Sequence, residues 1–303
     1  MVNAAYWFKS EVLPNKSVFK WILAGLAILL TSPVSLNAAV SLVEKLHLQG
    51  NFIQGGLIRG STSPQNKLLL NSKPLFINDK GYFAFGFSRD ADAPAKLVLI
   101  DTKGKRREQI FQVRKRHYNI QRINGLPQDK VTPRTAEQLA HIQRDFKKVA
   151  TAREIHSQYQ GFMQSFIWPA AGIITGVYGS QRILNGESRR PHFGLDIAAK
   201  VGSTVIAPAE GRVVVADENM FFSGGTLLID HGGGIFSSFL HLSKINVRLN
   251  QWVHQGQKIA EMGATGRVTG PHLDWRINWF GVRLDPAFLV SEKPPKKLKL
   301  FEK

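Results

Sequence analysis

The sequence predicts a mainly β protein, with an antiparallel β-sheet C-terminal domain and a small N-terminal β-sandwich-like domain joined by an amphipathic helix. Three observations lead there. Short apolar runs broken by glycine-containing turns fill residues 40–120 and again 166–290. Apolar residues at helical spacing occupy only the stretch between them. Glycines also recur every few residues among the C-terminal runs. That suits tightly turned antiparallel sheets rather than alternating β and α units.

Residues 1–39 stand apart. The uncharged run WILAGLAILL (Trp21–Leu30) follows Lys16 and Lys20 and leads through TSPVSLNAA to the small residues Ala38 and Ala39. A basic flank, a short apolar core and a small-residue end describe a secretory signal peptide. A retained membrane anchor is the competing reading, although a spanning helix wants about 20 apolar residues and Pro33 interrupts this one. Either way the bulk of the chain is expected in the periplasm or cell envelope. Contact with a membrane is expected only if the apolar segment is kept. The chain has 303 residues, 43% of them hydrophobic and 20% charged, enough for packed cores. Its formal charge of +18 calls for an anionic partner. Outside the cytoplasm that partner is the cell envelope and not nucleic acid. No cysteine is present, so no disulfide framework holds the fold.

In residues 40–120, Asn78–Gly81 and Asp101–Gly104 read as hairpin turns with glycine available for positive φ. Lys103, Lys105, Arg106, Arg107, Arg114, Lys115 and Arg116 read as a solvated basic rim or a binding patch. Residues 121–165 are expected to form a helical connector. Thr132-Pro133 suits a helix start, and Leu139, Ile142, Phe146, Val149 and Tyr159 suggest an apolar stripe over 133–160. His141 and His156 are assigned to that helix as surface or packing residues. The tail, 291–303, is Pro- and Lys-rich and reads as loose.

Three segments of residues 166–290 carry chemistry. RRPHFGLDIA offers His192 and Asp196, with Pro191 and Gly194 favouring a loop that enters a strand. SSFLHLS offers His241 in a strand. GPHLDWRINW offers His272 and Asp274; as a strand it turns His272, Asp274 and Arg276 to one face and Leu273, Trp275 and Ile277 to the other. Imidazoles and carboxylates are what zinc takes when no thiolate is offered, and a catalytic site wants three ligands with one open position. With His192, Asp196 and Asp274 on the metal, His241 and His272 would be spare for acid–base work.

The stretches HFGLDIA, GSTVIAPAEGRVV, GGTLLIDHGGGIFSSFLHLS, VHQGQKIAEMGATG and GPHLDWRI, in this order, resemble the lysostaphin-like, LytM-type family of zinc metallopeptidases. The resemblance spans about residues 168–288. It implies an endopeptidase that cuts peptide bonds in peptidoglycan, with one zinc ion. Residue by residue, it implies that His192 and Asp196 bind zinc, that His241 and His272 are catalytic, and that position 274 is the third ligand.

The family's last motif is usually HLH, whereas this chain has Asp274. Either Asp274 replaces the imidazole as ligand, or the domain has become an inactive module that binds or activates another cell-wall hydrolase. The first reading is favoured. The other four groups are all present, the replacement is itself a competent ligand, and Arg276 sits where the family often has an acid. An arginine there could orient a ligating carboxylate or form an ordinary strand-face ion pair. Two carboxylates would make the metal less positive than the usual set and acidify its water less, so an alkaline-shifted optimum is expected. Peptidoglycan stem peptides or cross-links, rich in free carboxylates, suit the basic chain as substrate.

Other residues receive smaller parts. His231 reads as structural, and His47, His117 and His254 have no role. Trp275, Trp279 and Phe280 read as core and groove wall, while Tyr178 and Arg182 are weak groove candidates.

Overall fold

The structure is a computed structural model, and it describes residues 42–123, 135–184, 187–188, 190–290, 294–295 and 298. The expected signal or anchor, the Thr132-Pro133 helix start and most of the tail lie outside the described residues.

The N-terminal region opens with one helical turn, α1 (Leu42–Lys45). Seven strands follow: β1 (Gln49–Gly50), β2 (Leu57–Ser61), β3 (Lys67–Leu70), β4 (Lys73–Pro74), β5 (Tyr82–Gly86), β6 (Ala95–Ile100) and β7 (Arg106–Phe111). They make a three-stranded sheet, β1-β2-β5, and a four-stranded sheet, β4-β3-β6-β7, both antiparallel. The sheets share a core. Ile58, Phe83 and Phe85 from one, with Leu68, Leu97 and Leu99 from the other, are each at most 1% exposed and form one cluster closed by Leu42 and Leu46.

Both expected turns form. Gly81 and Gly104 have φ of 84° and 75°, and each donates its N–H to the carbonyl three residues back at 2.9 Å. The basic rim is partly neutralised within this region. Arg106 and Lys96 pair with Glu108, and Arg107 pairs with Asp101.

Helix α2 (Ala136–Ala152) is shorter than the expected 133–160. Its start is set by a capping box: the Thr135 hydroxyl accepts from the Gln138 N–H, and the Gln138 side chain accepts from the Thr135 N–H. The helix ends at Arg153, so His156 and Tyr159 lie beyond it. The expected apolar stripe is only half covered. Ile142 and Ala152 are buried and Val149 joins a small cluster with Val215, Met220 and Leu228, whereas Leu139 and Phe146 are 46% and 54% exposed. The helix meets one strand hairpin along a line, which leaves the outer edge of the stripe in solvent. His141, as expected, is a helix-surface residue, its Nε2 3.0 Å from the Asn219 carbonyl.

Beyond β8 (Ile120–Ile123), the C-terminal region contains β9 (Ile173–Gly176), β10 (Gln181–Leu184), β11 (Glu187–Ser188), β12 (Leu195–Ala198), β13 (Thr204–Ile206), β14 (Gly211–Met220) and β15 (Gly224–Asp230). It continues with β16 (Ile235–Ile245), β17 (Trp252–Val253), β18 (Lys258–Met262), β19 (His272–Trp279) and β20 (Val282–Leu284). The main sheet runs β17-β14-β15-β16-β19-β12-β9, with β13, β18 and β20 attached beside it. Every pairing within it is antiparallel. On one face Leu195, Ile197, Leu227, Ile229, Phe239, Leu273, Trp275 and Ile277 build the large core, each no more than 3% exposed.

The two β regions also pack directly on each other, in addition to the helix between them. Leu57 and Ala84 belong to the large core. Strand β8 pairs in parallel with β10. Arg116, on the far side of the sequence, forms an ion pair with Asp285 at 2.7 Å and lies against the rings of Tyr118, Tyr178 and Phe288. The described residues consequently group as one compact unit.

Candidate metal site

The face of the main sheet opposite the core is chemical, as the alternation in HLDWRI predicts. Asp196 on β12 and Asp274 on β19 are directly opposed across the strand pair, so their carboxylates share that face. Two glycines make room for them. A Cβ on Gly176 would fall 2.2 Å from Asp196 Oδ2, and one on Gly194 would fall 2.2 Å from Asp274 Oδ1.

His192 arrives from the loop before β12. Its backbone is pinned on both sides, with its N–H donating to the Ser180 carbonyl and its carbonyl accepting from the Gly179 N–H, both at 2.8 Å. Single ligand atoms of His192, Asp196 and Asp274 all lie within 4.8 Å of one another. His192 Nε2 stands 3.2 Å from Asp196 Oδ1, yet the geometry is not that of a hydrogen bond, and both atoms are buried without a partner. Buried orphans of this kind are uncommon in folded proteins. One nitrogen and one oxygen of a zinc-type donor set, both left open toward each other, fit a cation.

Asp274 is 3% exposed and is held by Arg276. Nε donates to both carboxylate oxygens at 3.0 Å, and Nη2 donates to Oδ2 at 2.5 Å. Burial alone would push the Asp274 carboxyl up, but the charge and hydrogen bonds of Arg276 outweigh it and hold the group below the usual carboxylate range. A carboxylate has about four lone-pair sites. Arg276 engages Oδ1 once and Oδ2 twice, so Oδ1 retains acceptor capacity for a metal. The residues present therefore fit a zinc ion, which would share Asp274 with Arg276.

The two remaining histidines flank the cluster. His272 Nε2 is 3.8 Å from Asp196 Oδ1, and its Nδ1 donates to the Gly270 carbonyl at 2.9 Å. The rings of His241 and His272 are 4.9 Å apart. His241 Nδ1 donates to the Thr265 carbonyl, also at 2.9 Å. A carbonyl can only accept, so in each ring Nδ1 carries a proton, and the neutral tautomer of either ring has its lone pair on Nε2. For His241, burial lowers the pKa further than the Thr265 carbonyl and Asp274 raise it, which favours the neutral ring. For His192, burial also lowers the pKa, but Asp196 and Asp274 outweigh it and the net direction is up.

His241 reaches this face by an irregularity. Strict alternation after Phe239, which lies in the core, and Leu240, which opposes Asp274, would turn His241 back toward the core. Instead β16 carries one extra residue against β15, between the pairs Leu227↔Phe239 and Gly225↔Leu242. His241 sits in this bulge at φ +66°, a conformation costing a non-glycine residue about 1–3 kcal/mol. Thr265 secures it. The threonine carbonyl takes the ring proton, while its hydroxyl donates to the Leu242 carbonyl and accepts from the Gly225 N–H, both at 2.9 Å. Sequence reasoning missed Thr265; the only signal was the Thr-Gly dipeptide ahead of the last motif.

The other sequence candidates are placed as follows. His231 is fully buried, its Nδ1 donating to the Glu210 carbonyl at 2.7 Å and its Nε2 facing the Ser237 hydroxyl at 2.8 Å. Burial drives its pKa down to about 4. Trp275 is core, and Phe280 packs against His156 at a tilted angle outside the cluster. Tyr178 is 2% exposed, with its hydroxyl donating to the Arg283 carbonyl, so it supports the fold and does not line a groove. The Arg182 side chain lies outside what is described.

Comparison with known proteins agrees with this geometry. The family model described as "Peptidase family M23" matches residues 190–286. Peptidoglycan DD-endopeptidase ShyB of Vibrio cholerae is 42% identical over 87 residues, 29% of this chain and 20% of that protein. Murein hydrolase activator NlpD of Escherichia coli is 34% identical over 126 residues, 42% of this chain and 31% of that protein. The chain thus matches only a fifth to a third of these relatives' length. A crystal structure from Pseudomonas aeruginosa described as a peptidase M23 superposes with a TM-score of 0.61 at 28% identity, over 78% of this chain and 94% of that one. Residues 190–286 thus match peptidase family M23.

Proposed function

We propose that the chain is a zinc-dependent endopeptidase that hydrolyses peptide bonds in peptidoglycan, in the periplasm or cell envelope. His192, Asp196 and Asp274 hold the metal, and His241 and His272 move the protons. The observation that carries this reading is the convergence of ligand atoms of His192, Asp196 and Asp274 within 4.8 Å, with His192 Nε2 and Asp196 Oδ1 buried without a hydrogen-bond partner, beside two imidazoles whose Nδ1 donates to a backbone carbonyl. The match of residues 190–286 to peptidase family M23 and the relatives named as DD-endopeptidases support the substrate class.

Bound zinc would polarise the scissile carbonyl and acidify a water molecule. The protein's own groups do the rest. His241 and His272 each offer Nε2 as acceptor for the water proton, and the protonated ring then donates to the leaving amine or to the developing oxyanion. Arg276 fixes the Asp274 carboxylate and keeps it ionised, so its orientation does not depend on the metal. The bulge and Thr265 fix the His241 ring before substrate arrives.

A second reading is a catalytically silent module that binds or activates another wall hydrolase. Arg276 engaging both Asp274 oxygens favours it, as does a relative named a murein hydrolase activator. Digestion of purified sacculi by the chain, with and without a chelator, separates the two. Chelator-sensitive release of peptide-cleaved fragments is expected. Intact sacculi at every zinc concentration would favour the silent module.

A further inference from the structure

The chemical face of the sheet extends past the metal cluster. Along β19 it continues from Asp274 to Arg276 and Asn278. Ser238 on β16 is directly opposite Arg276, and Arg283 on β20 is directly opposite Asn278, so all four share the face. Arg153, at the end of α2, reaches the same place from outside the sheet, its Nη2 donating to Ser238 Oγ at 3.0 Å. Arg283 Nη1 donates to Asn278 Oδ1 at 3.1 Å. Three guanidinium groups thus stand on neighbouring positions, where strands lie about 5 Å apart and alternate residues about 7 Å.

Their charge is not balanced locally. Among the described residues Asp274 is the one carboxylate paired with any of them, and it answers Arg276 alone. Arg153 Nε is buried without a hydrogen-bond partner. Burial, reinforced by the charges of Arg276 and Arg190, brings the Arg283 pKa down to about 10. Burial, then the charges of Arg283 and Arg276, also lowers that of Arg153. Confined like charges call for a compensating anion. Each of the three side chains keeps partial exposure, so a solute can reach them.

We propose that Arg153, Arg276 and Arg283 form a subsite for a free carboxylate of a peptide lying across the sheet beside the metal cluster. The position of that peptide rests on the peptidase reading above. Guanidinium forks match carboxylates two bonds at a time, and Arg276 still has N–H groups beyond the two it gives Asp274. Arg276 is two residues and Asn278 four residues along the strand from Asp274, about 7 and 13 Å. An extended peptide covers that span in two to four residues. The favoured substrate therefore carries a carboxylate that far from the bond cut, as stem peptides do and amidated ones do not.

The test is calorimetric titration of the full-length chain with a soluble stem tetrapeptide bearing free carboxylates, and with the same peptide as its carboxamides. Wild type should bind the acid form about tenfold tighter, the worth of one charged hydrogen-bonded pair. Arg153→Gln and Arg283→Gln should each cut that preference to about twofold or less without weakening the amide form, and Arg153→Lys should restore part of it. Equal affinity for acid and amide in wild type, no binding of either, or an undiminished preference in both glutamine variants would overturn the subsite. Chelator-sensitive hydrolysis without acid preference would remove the subsite and leave the peptidase reading. Acid-selective binding without hydrolysis would do the reverse.

Discussion

Replacing Arg276 with Gln probes the Asp274 environment directly. The Asp274 carboxylate is 3% exposed and receives three N–H contacts, all from this one guanidinium. Removing one partner of a buried pair leaves an uncompensated charge, and such losses run to about 3–5 kcal/mol. In a compact unit of this size, that corresponds to a fall in Tm of roughly 6–20 °C for the metal-free protein. Zinc should reverse much of the fall, because a cation beside Asp274 Oδ1 compensates the same charge. The increase in Tm on adding zinc should thus be larger in Arg276→Gln than in wild type. Differential scanning calorimetry with and without zinc measures all four values. An equal zinc increment in the two proteins would refute the idea that metal and arginine share this carboxylate.

Further expectations follow from the same geometry. Asp274→Ala should lose bound zinc, measured by elemental analysis of the folded protein, and with it all chelator-sensitive hydrolysis. Asp274→His should move the pH–rate profile to lower pH than wild type, because a second imidazole leaves the metal more positive and acidifies its water more. No displacement would remove that charge argument. His231 titrates near 4 in the fold against about 6.5 unfolded, so the unfolded chain binds the extra proton between those values. Stability is then full above pH 6.5 and falls as the pH drops toward 4, by about 3 kcal/mol. His231→Gln should flatten that limb when denaturant midpoints are compared at pH 4.5 and 7.

The site was legible where strand alternation is regular. In GPHLDWRINW the period of two separated the buried Leu273, Trp275 and Ile277 from His272, Asp274 and Arg276, and in the structure Asp196 obeys the same alternation between the buried Leu195 and Ile197. The proximity of Arg276 to Asp274 follows from the same pattern. Where alternation fails, spacing alone does not place the residue, and His241 was expected in the site only from the family resemblance. His241 reaches the site only through a bulge and a left-handed backbone, which no spacing announces.

Long-range contacts were likewise hidden. Arg116 lies 169 positions from Asp285, and Arg153 lies 85 from Ser238, so neither partner could be named from local sequence. The start of α2 is set by the reciprocal Thr135–Gln138 cap, which the sequence reading did not single out. The direct packing of the two β regions was equally illegible, since Leu57, Ala84 and Leu284 meet only in the folded chain.

The substitution of a carboxylate for an imidazole at position 274 is best tested by anomalous scattering at the zinc edge from crystals soaked in zinc. A single peak is expected about 2.0–2.2 Å from a His192 nitrogen and from one oxygen each of Asp196 and Asp274. A peak bound by His192 and Asp196 alone, with both Asp274 oxygens still turned to Arg276, would contradict it.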